Sequence, residues 1–579
     1  MNKYTENKFK FRKSAVAVAV LTIIGTSVAS NAYAQEVSAS DDTEVIEVTG
    51  IRSSLTAALA EKRTANNFVE IIQASDIGKL PDQNLAEVLE NVTGIQITRT
   101  AGVGTAVQIR GTDQNRVEIN GISTVGPGAG RGGISFEDLP ASLISSVEVT
   151  KSPDAKMIEG SVGGTINLRT LRPLELNETV FAVRAKMQNS DLDVDDEYLP
   201  ILSGTYGVNW DAPKGEMGVV FSANYAKQNV SAFRPRADRD GLVTSDQNYP
   251  AASRNGETSD RLIGSAQDFD FLRIQFFNQD YDNLIYDTTN LSATFEWAPT
   301  DKLKFYVDGL YNDQSRTQES NEVQFSGVSD IDVVDLTTNN TFETVNLGAI
   351  DTPNGIINIP SIQAVTSGVL LPDTALASGL NPNVRTRSLT GARLTESSVF
   401  RIGGDYEADN FEISAEFAAA ESESVNPSLN TRLDFINPNS AQPVGGPGGS
   451  VDNGTPVEYD LRGGVVQFGI AQGLDSSPTR AQMLDPANYA LSQAQQSRNL
   501  AENSEVAFRT DFTYFTDGII PFIKSVDAGY RYSDTSTLRD NNATERVNLT
   551  SSTSEFDRPR ASEFSDIIVA GSPNFNAAD

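Results

Sequence analysis

The sequence of 579 residues contains no cysteine and no histidine. Without cysteine there is no disulfide framework and no thiol nucleophile. Without histidine there is no Ser-His-Asp or Cys-His catalytic site and no His-ligated metal centre. Enzymes built on paired carboxylates are still allowed, because acidic residues are plentiful.

Basic residues and long apolar runs are also scarce. The 77 acidic residues outnumber the 45 lysines and arginines, and the net charge of -32 argues against nucleic acid as a partner. Beyond residue 34 no stretch of about twenty apolar residues occurs, so the sequence offers no transmembrane helix. A membrane protein is still allowed if it spans with β-strands, whose sequence signal is weaker for each segment.

The N-terminus has the three parts of a secretory signal peptide. A basic head precedes a mostly apolar run over residues 15–28, which is followed by the A-x-A cleavage site Ala32-Tyr33-Ala34. We predict that residues 1–34 are removed and that the mature chain leaves the cytoplasm. A single membrane anchor is the alternative, but the run is short and interrupted by polar residues.

Residues 66–173 have the pattern of a compact α+β unit. A short helix is predicted from about Asn84, with Leu85, Val88 and Leu89 on one face, and a glycine follows it. Short alternating strands come next, separated by Gly and Asn turns: IQITR, VQIRG, RVEING and SVEVTKSP.

Over residues 174–579 the chain changes to long strands that alternate between apolar and polar residues. In LSATFEWAP, Phe295 lies on the face opposite Glu296, and in FEISAEFAA, Phe417 lies opposite Glu416. In a soluble sandwich the apolar face would point to the core, whereas in an outer-membrane barrel it would point to lipid. Periodicity alone does not separate the two architectures.

The connections between these strands alternate strictly between short and long. The short ones are DAPKGE, PTDK and ADN, while long polar stretches cover residues 231–282, 315–395 and 421–503. Soluble domains rarely repeat loops of that length. Bacterial barrels combine tight periplasmic turns with long extracellular loops. The alternation therefore favours a transmembrane barrel.

About nine such strands can be placed along the chain, and its last residues are polar. An odd, open set of strands would leave backbone groups without hydrogen bonds in lipid. We therefore expect the sequence to be the N-terminal portion of a longer protein.

The most specific signal is a set of motifs that follow one another in order. They are EVIEVTG, LPDQNLAEVLENVTGIQITR, VQIRG, VEING and LPASLISSVEVTKSPDAKMIEGSVGGTINLRTLRP. Together they resemble the N-terminal part of TonB-dependent outer-membrane receptors, whose plug domain sits inside a large barrel. The family wording near the end is VEVxKGP, with an aromatic-Gly pair before GGxIN. Here Ser152 replaces that glycine, and Glu159-Gly160 replace the aromatic pair.

The resemblance implies a fold class and a domain organisation. The fold is an all-β transmembrane barrel of the 22-stranded type, incomplete here, with an N-terminal α+β plug domain in its lumen. The domains are a signal peptide at 1–34, a periplasmic leader at 35–65, a plug at 66–173, and the N-terminal part of the barrel with long extracellular loops at 174–579.

The leader holds a strand-forming segment that has no obvious partner strand beside it. The resemblance identifies this segment as the TonB box, which the energy-transducing protein TonB captures. Strand addition suits such a segment, because main-chain hydrogen bonds give affinity while alternate side chains select the partner. The alternative is the plug's own first strand. The residues of the box are Glu44, Val45, Ile46, Glu47, Val48, Thr49 and Gly50.

The resemblance also implies where the plug meets its ligand and the barrel. Charged contacts with the barrel wall are expected at Arg110 and Glu148. Neither a catalytic residue nor a metal or cofactor is expected. The candidate ligand contacts at the plug apex are Arg99, Thr100, Gly102, Gly104, Ser123, Gly128 and Arg131.

The implied function is active import rather than catalysis. An extracellular ligand binds, the plug rearranges, and TonB pulls with energy from the inner-membrane proton gradient. The expected location is the outer membrane of a Gram-negative bacterium, with TonB, lipid and the ligand as partners. The branch that the sequence resembles makes an oligosaccharide the first expectation for the ligand. Ferric siderophores and cobalamin are the alternatives within the family.

Two rival functions come from other classes. One is a surface-exposed adhesin or exported carbohydrate-binding β-protein, and the other is a periplasmic hydrolase with a carboxylate pair. Neither explains a strand-forming leader followed by the plug motifs.

Overall fold

The signal peptide and the TonB box predicted from the sequence, residues 1–34 and 44–50, lie outside the residues that the structure describes. A computed structural model of the protein describes residues 58–59, 62–63, 65, 67–73, 85–90, 92–100, 102–126, 135–136, 139, 143–152, 157–189, 198–243, 271–326, 334–335, 341–345, 348–352, 355–358, 361–372, 382–440, 454–463, 466–516, 522–549 and 557–564.

The N-terminal unit is built on a small mixed sheet. Its elements are β1 (Val69–Gln73), α1 (Leu85–Glu90), β2 (Ile95–Thr100), β3 (Val103–Ile109), β4 (Asn115–Ile119), β5 (Ile122–Ser123), β6 (Ser146–Thr150) and β7 (Gly164–Arg169). Five strands form one sheet in the order β1-β6-β7-β4-β5, and β2 and β3 form a separate hairpin. The predicted helix is confirmed as α1, which buries Leu85, Val88 and Leu89 in the core of this unit.

The rest of the described chain is dominated by one large antiparallel sheet. Its long strands and the short elements between them are β8 (Val180–Gln188), β9 (Leu199–Ala212), β10 (Gly215–Val243), β11 (Phe271–Thr300), β12 (Leu303–Ser326), β13 (Val334–Asp335), β14 (Thr341–Val345), β15 (Ala349–Thr352), β16 (Gly355–Asn358), β17 (Ile362–Pro372), β18 (Asn383–Glu407), β19 (Phe411–Phe435), β20 (Val457–Asp460), β21 (Gln467–Ile470), α2 (Arg480–Met483), β22 (Tyr489–Phe515) and β23 (Ser525–Asn548). Three 3₁₀ turns cover Pro173–Glu175, Pro486–Asn488 and Ala561–Phe564.

Nine long strands form the wall of the barrel. They pair in the order β8-β9-β10-β11-β12-β18-β19-β22-β23, which agrees with the number expected from the sequence. Within the described residues the wall ends at β8 and β23 and does not close. Among the same residues, no helix is both long and apolar enough to cross a membrane.

The strands extend much further than the alternation pattern predicted. β10 has 29 residues and β11 has 30, whereas a membrane-spanning strand needs about 9–11. The predicted long loops at 231–282, 315–395 and 421–503 were therefore too long. Beyond the apolar belt the regular alternation is lost and polar residues occur on both faces, as in β12 over residues 312–322, so the pattern is typical of a loop although the ladder of hydrogen bonds continues.

The apolar face of the large sheet points outward, which decides between the two architectures left open by the sequence. Phe295 is 38% exposed, whereas its neighbour Glu296, on the opposite face, is only 2% exposed. Phe181, Phe417 and Tyr530 are likewise exposed on the outer side. A soluble sandwich would bury these side chains. An apolar exterior around a polar interior is the arrangement of a transmembrane barrel.

A charge placed in the apolar belt should destabilise the barrel. Ile402, on the outer face of β18, pairs with Val307 and Phe417 on the adjacent strands. We expect Ile402→Arg to lower the free energy of unfolding by about 2–4 kcal/mol in a bilayer. Thr390→Arg is the matched control, because Thr390 lies on the same face of β18 beyond the belt. Urea titrations in liposomes measure both effects, and equal effects would contradict the position of the belt.

Candidate functional site

The plug packs against the inner face of the barrel wall through apolar side chains. Leu310 and Val399 from the wall belong to the same buried cluster as the plug core. At a second point, Ile122 of β5 packs against Ala418 and Ala507. The wall positions alternate with the outward apolar residues, so β12, β18, β19 and β22 each turn one face outward and the other toward the plug.

A buried ionic network lies at this interface, and Arg401 of β18 is at its centre. Its Nε donates to Oδ2 of Asp308 at 2.6 Å, and its Nη1 donates to Oε2 of Glu416 at 3.0 Å. The same Nη1 donates to the backbone oxygen of Asn120 at 2.8 Å. Arg401 is only 5% exposed. Because Asn120 belongs to the plug, the guanidinium joins two carboxylates of the wall to the plug backbone.

Arg172 brings a second cation into the network from the junction of plug and barrel. Its Nη1 lies 3.0 Å from Oδ1 of Asp308 and 3.7 Å from Oε1 of Glu296. The amide of Leu174 donates to the other oxygen of Glu296 at 3.1 Å. The chain therefore leaves the plug with a charged side chain and a backbone amide both held by the wall.

Tyr306 completes the network between the two arginines. Its hydroxyl donates to Oε2 of Glu416 at 2.8 Å. The guanidinium carbons of Arg172 and Arg401 lie 5.5 and 4.3 Å from the centre of its ring, within range for a cation–π interaction. Hydrogen-bonded, paired charges of this kind can be buried without a large penalty. The network therefore joins the plug to the wall through ion pairs and hydrogen bonds.

The plug also contacts the wall far from the short turns of the barrel. Val103, at the tip of the β2–β3 hairpin, packs against Leu284 and Tyr286 of β11. Nδ2 of Asn503 in β22 donates to the backbone oxygen of Gly126 at 2.8 Å. The hairpin tip therefore lies far along β11 from the short turn that joins β11 to β12.

Glu118 is a buried carboxyl of the plug that faces the barrel wall. It is 8% exposed in β4, and Oε1 lies 3.6 Å from Nε of Arg116. Burial raises the pKa of Glu118 to about 7, although Arg116, Arg531 and Arg509 oppose that shift. Glu148 adds to the rise in the pKa of Glu118.

This raised pKa predicts that the protein is less stable at higher pH. Glu118 keeps a proton in the folded state up to about pH 7, while in the unfolded chain it loses that proton near pH 4.5. The free energy of unfolding should therefore fall as the pH rises through this window, by on the order of 3 kcal/mol. Glu118→Gln should flatten this dependence, and Glu178→Gln, at an exposed position, should not. Urea midpoints at pH 5 and pH 8 test this. An equal change in midpoint between the two pH values in both variants would contradict it.

The candidate ligand contacts fall into three groups. Arg99, Thr100 and Gly102 are exposed around the tip of the β2–β3 hairpin, and Arg99 forms an ion pair with Glu90 at 2.5 Å. Gly104 is buried. The other buried candidate is Ser123, which accepts a hydrogen bond from Arg116 and would reach a ligand only after the plug moves. Gly128 and Arg131 lie outside the described residues.

The predicted plug–barrel contacts differ from those that the structure describes. Glu148 forms an ion pair with Arg169, at 2.7 Å, inside the plug. Arg110 is exposed at a turn with a φ of 53°. Their contact with the wall stays a prediction. The sequence analysis missed Arg172 and Arg401. Arg172 could have been noticed because it lies beside the predicted end of the plug, and Arg401 because it is a charged residue on the polar face of a strand.

Residues 61–165 match the family model described as the TonB-dependent Receptor Plug Domain. The chain carries the plug domain of TonB-dependent receptors. The receptor is therefore an outer-membrane barrel protein of a Gram-negative bacterium, as the sequence predicted. In the described part of the receptor, no group of three or more His, Cys, Asp or Glu side chains is arranged to hold a metal ion.

The receptor is similar to curated proteins named Vitamin B12 transporter BtuB. The one from Vibrio cholerae is 27% identical over 321 residues, which are 53% of the receptor and 46% of that relative. The one from Vibrio vulnificus is 29% identical over 162 residues, or 28% of the receptor and 25% of the relative. The receptor thus spans about half the length or less of these relatives.

Among solved structures, the unliganded ferric citrate transporter FecA aligns with 83% of the receptor and 80% of its own chain, at 10% identity and a TM-score of 0.27. BauA from Acinetobacter baumannii, the ferric preacinetobactin receptor, aligns with 81% of the receptor and 78% of its own chain, at 11% identity and a TM-score of 0.26. Likenesses at these TM-scores carry no weight for function.

Proposed function

We propose that this receptor imports an extracellular ligand across the outer membrane with energy supplied through TonB. The observation that carries the proposal is the plug seated on the inner wall of the barrel by a buried network of Arg172, Asp308, Arg401 and Glu416. A plug held by paired charges closes the lumen at rest. The same charges can exchange partners without breaking a covalent bond, so the closure is reversible.

Ligand binding is coupled to the plug through differential affinity. A ligand that binds more tightly when the plug is rearranged shifts the population toward that state. The proposed contacts of such a ligand include Arg99 and Thr100, which are exposed at the tip of the β2–β3 hairpin. The rearranged plug then presents residues 44–50 to TonB, which captures them by strand addition.

The lumen wall above the plug suits a polar ligand. Arg234 lies 2.7 Å from Asp282, and Nη1 of Arg387 lies 4.0 Å from Glu322. The Nε of Arg387 also donates to Asn430 at 3.1 Å. The donors and acceptors of these side chains can also form hydrogen bonds with hydroxyl, amide or carboxylate groups of a ligand.

The names of the curated relatives support cobalamin as the first ligand to test. Ferric siderophores are the other alternative from the sequence. The oligosaccharide that was the first expectation has no support from the relatives. The polar wall is compatible with all three ligand classes.

The test compares uptake in a strain that lacks the full gene with uptake in its parent. Labelled cobalamin, ferric siderophores and an oligosaccharide mixture are followed in parallel, with and without a protonophore. We expect selective loss of one ligand class in the deletion strain, and loss of the same class in the parent after protonophore treatment. Uptake of all three that does not depend on the gene would contradict the proposal.

A further inference from the structure

The end of the leader is fastened to the first strand of the plug by two lysines that share one carboxylate. Nζ of Lys62, a residue of the predicted leader, lies 2.7 Å from Oε2 of Glu70 in β1. Nζ of Lys151, just after β6, lies 3.8 Å from the other oxygen of Glu70. The two Nζ atoms lie 5.9 and 5.5 Å from the centre of the Phe68 ring. Glu70 and Phe68 thus each contact one lysine of the leader and one lysine at the end of β6.

Hydrogen bonds that involve backbone atoms join the same segments. The amide of Phe68 donates to Oγ of Ser152 at 2.8 Å, and the amide of Lys151 donates to the oxygen of Phe68 at 2.9 Å. Nζ of Lys151 also donates to the backbone oxygen of Thr93. Ser152 is the position at which the sequence departs from VEVxKGP. A glycine there would have no hydroxyl to accept from Phe68. We call Lys62, Phe68, Glu70, Lys151 and Ser152 the clasp.

The clasp lies where a pull on the leader would first reach the plug. β1 is an edge strand of five residues, and its partner among the described strands is β6. The pairing is antiparallel, and Val69, where the leader enters, is opposite Thr150. A pull from the N-terminal side therefore loads this end of β1 first. The clasp adds two ion pairs and a backbone-to-side-chain hydrogen bond at that end.

We propose that the clasp controls when β1 leaves the plug sheet, and so sets the force at which a pull on the leader begins to open the plug. This rests on the proposed function only in that TonB supplies the pull. The clasp itself belongs to the resting receptor. Without it, β1 would separate from β6 at a lower force, while the rest of the plug sheet would keep its own contacts.

Amide hydrogen exchange of the purified full chain in detergent tests the resting part of the proposal. Ser152→Ala removes the hydroxyl, and we expect exchange of the β1 amides, Val69–Gln73, to become about five- to tenfold faster. Ser152→Thr keeps a hydroxyl and should restore slow exchange. Glu70→Gln should also speed exchange of β1, because it leaves two lysines close together without their shared carboxylate.

A matched control comes from the separate hairpin of the plug. Oγ1 of Thr105 donates to the backbone oxygen of Thr98 at 3.2 Å. Thr105→Val removes a similar side-chain-to-backbone bond, and it should leave exchange of β1 unchanged. If Thr105→Val accelerated β1 as much as Ser152→Ala does, the effect would be a general loosening of the plug and the proposal would be overturned.

Pulling on a single molecule tests whether the clasp resists force. Since the chain has no cysteine, Ser40→Cys provides one handle in the leader of the receptor held in a bilayer. We expect the first rupture to occur at lower force in Ser152→Ala and at the original force in Ser152→Thr. An unchanged first rupture would overturn the proposal even if exchange became faster. Neither measurement involves TonB or a ligand, so failure of the proposed import function would be seen separately.

Discussion

Arg401→Met should lower the free energy of unfolding by about 3–5 kcal/mol, because it leaves the buried Glu416 without its cation and Asp308 with Arg172 alone. Arg401 is the donor to Asp308, Glu416 and the backbone of Asn120. Methionine replaces the apolar stem of arginine but not its guanidinium, so part of the packing is kept while the buried cation and its hydrogen bonds are lost. Most of the expected cost therefore arises from charge. Urea titration in detergent, followed by tryptophan fluorescence, measures it.

The matched control is an ion pair at the protein surface. Lys302 and Asp409 form a short contact between neighbouring turns of the barrel, with side chains that are 53% and 92% exposed. Water screens such pairs and solvates either partner when the other is lost. Lys302→Met should therefore leave the urea midpoint unchanged. If the two variants behaved alike, the network around Arg401 would be solvated and could not hold the plug in the way we propose.

A second variant separates charge from shape at the same site. Glu416→Gln removes one carboxylate of the network but can still accept the hydrogen bond from Tyr306. Combined with Arg401→Met, it should recover part of the lost stability, since one fewer unpaired charge is then buried. A double variant no more stable than Arg401→Met would show that Glu416 is not the group left unpaired.

The alternation of residues predicted the strands of the barrel wall, and the structure shows why it predicted less above the membrane. Within the apolar belt, Phe295 and Glu296 lie on opposite faces and only one arrangement buries the polar side against the plug. Beyond the belt, polar pairs such as Arg234 and Asp280 continue the ladder. There the ladder of hydrogen bonds continues without a regular alternation of apolar and polar residues. Periodicity therefore locates the membrane part of each strand and not its end.

The ionic network could not be predicted from sequence for a different reason. The sequence predicted that Glu296 and Glu416 lie on the polar faces of their strands, so in a barrel these side chains were expected to point inward. Which charges meet depends on the register of distant strands and on the depth of the plug. Arg401 and Asp308 are 93 positions apart in the chain, and Arg172 and Asp308 are 136 apart. A local pattern carries no information at such separations.

Proline at Val45 and Val48 should abolish uptake while leaving ligand binding intact. Strand addition needs the backbone N–H groups of the box, and proline removes a donor and fixes φ. Val45→Ile with Val48→Ile keeps the donors and the β-branched side chains, so this control should import normally. Uptake by cells and binding of the purified receptor to the C-terminal domain of TonB are measured side by side, with ligand binding to whole cells.

The same variants distinguish the TonB box from its alternative, a first strand of the plug. β1 already forms the described edge of the plug sheet next to β6, so prolines upstream of it should leave the urea midpoint unchanged. If residues 44–50 were instead a strand of the plug, the prolines would lower the midpoint and weaken ligand binding together with uptake. Uptake that survives both prolines would refute the assignment of the box, because no strand could then be forming through those two amides.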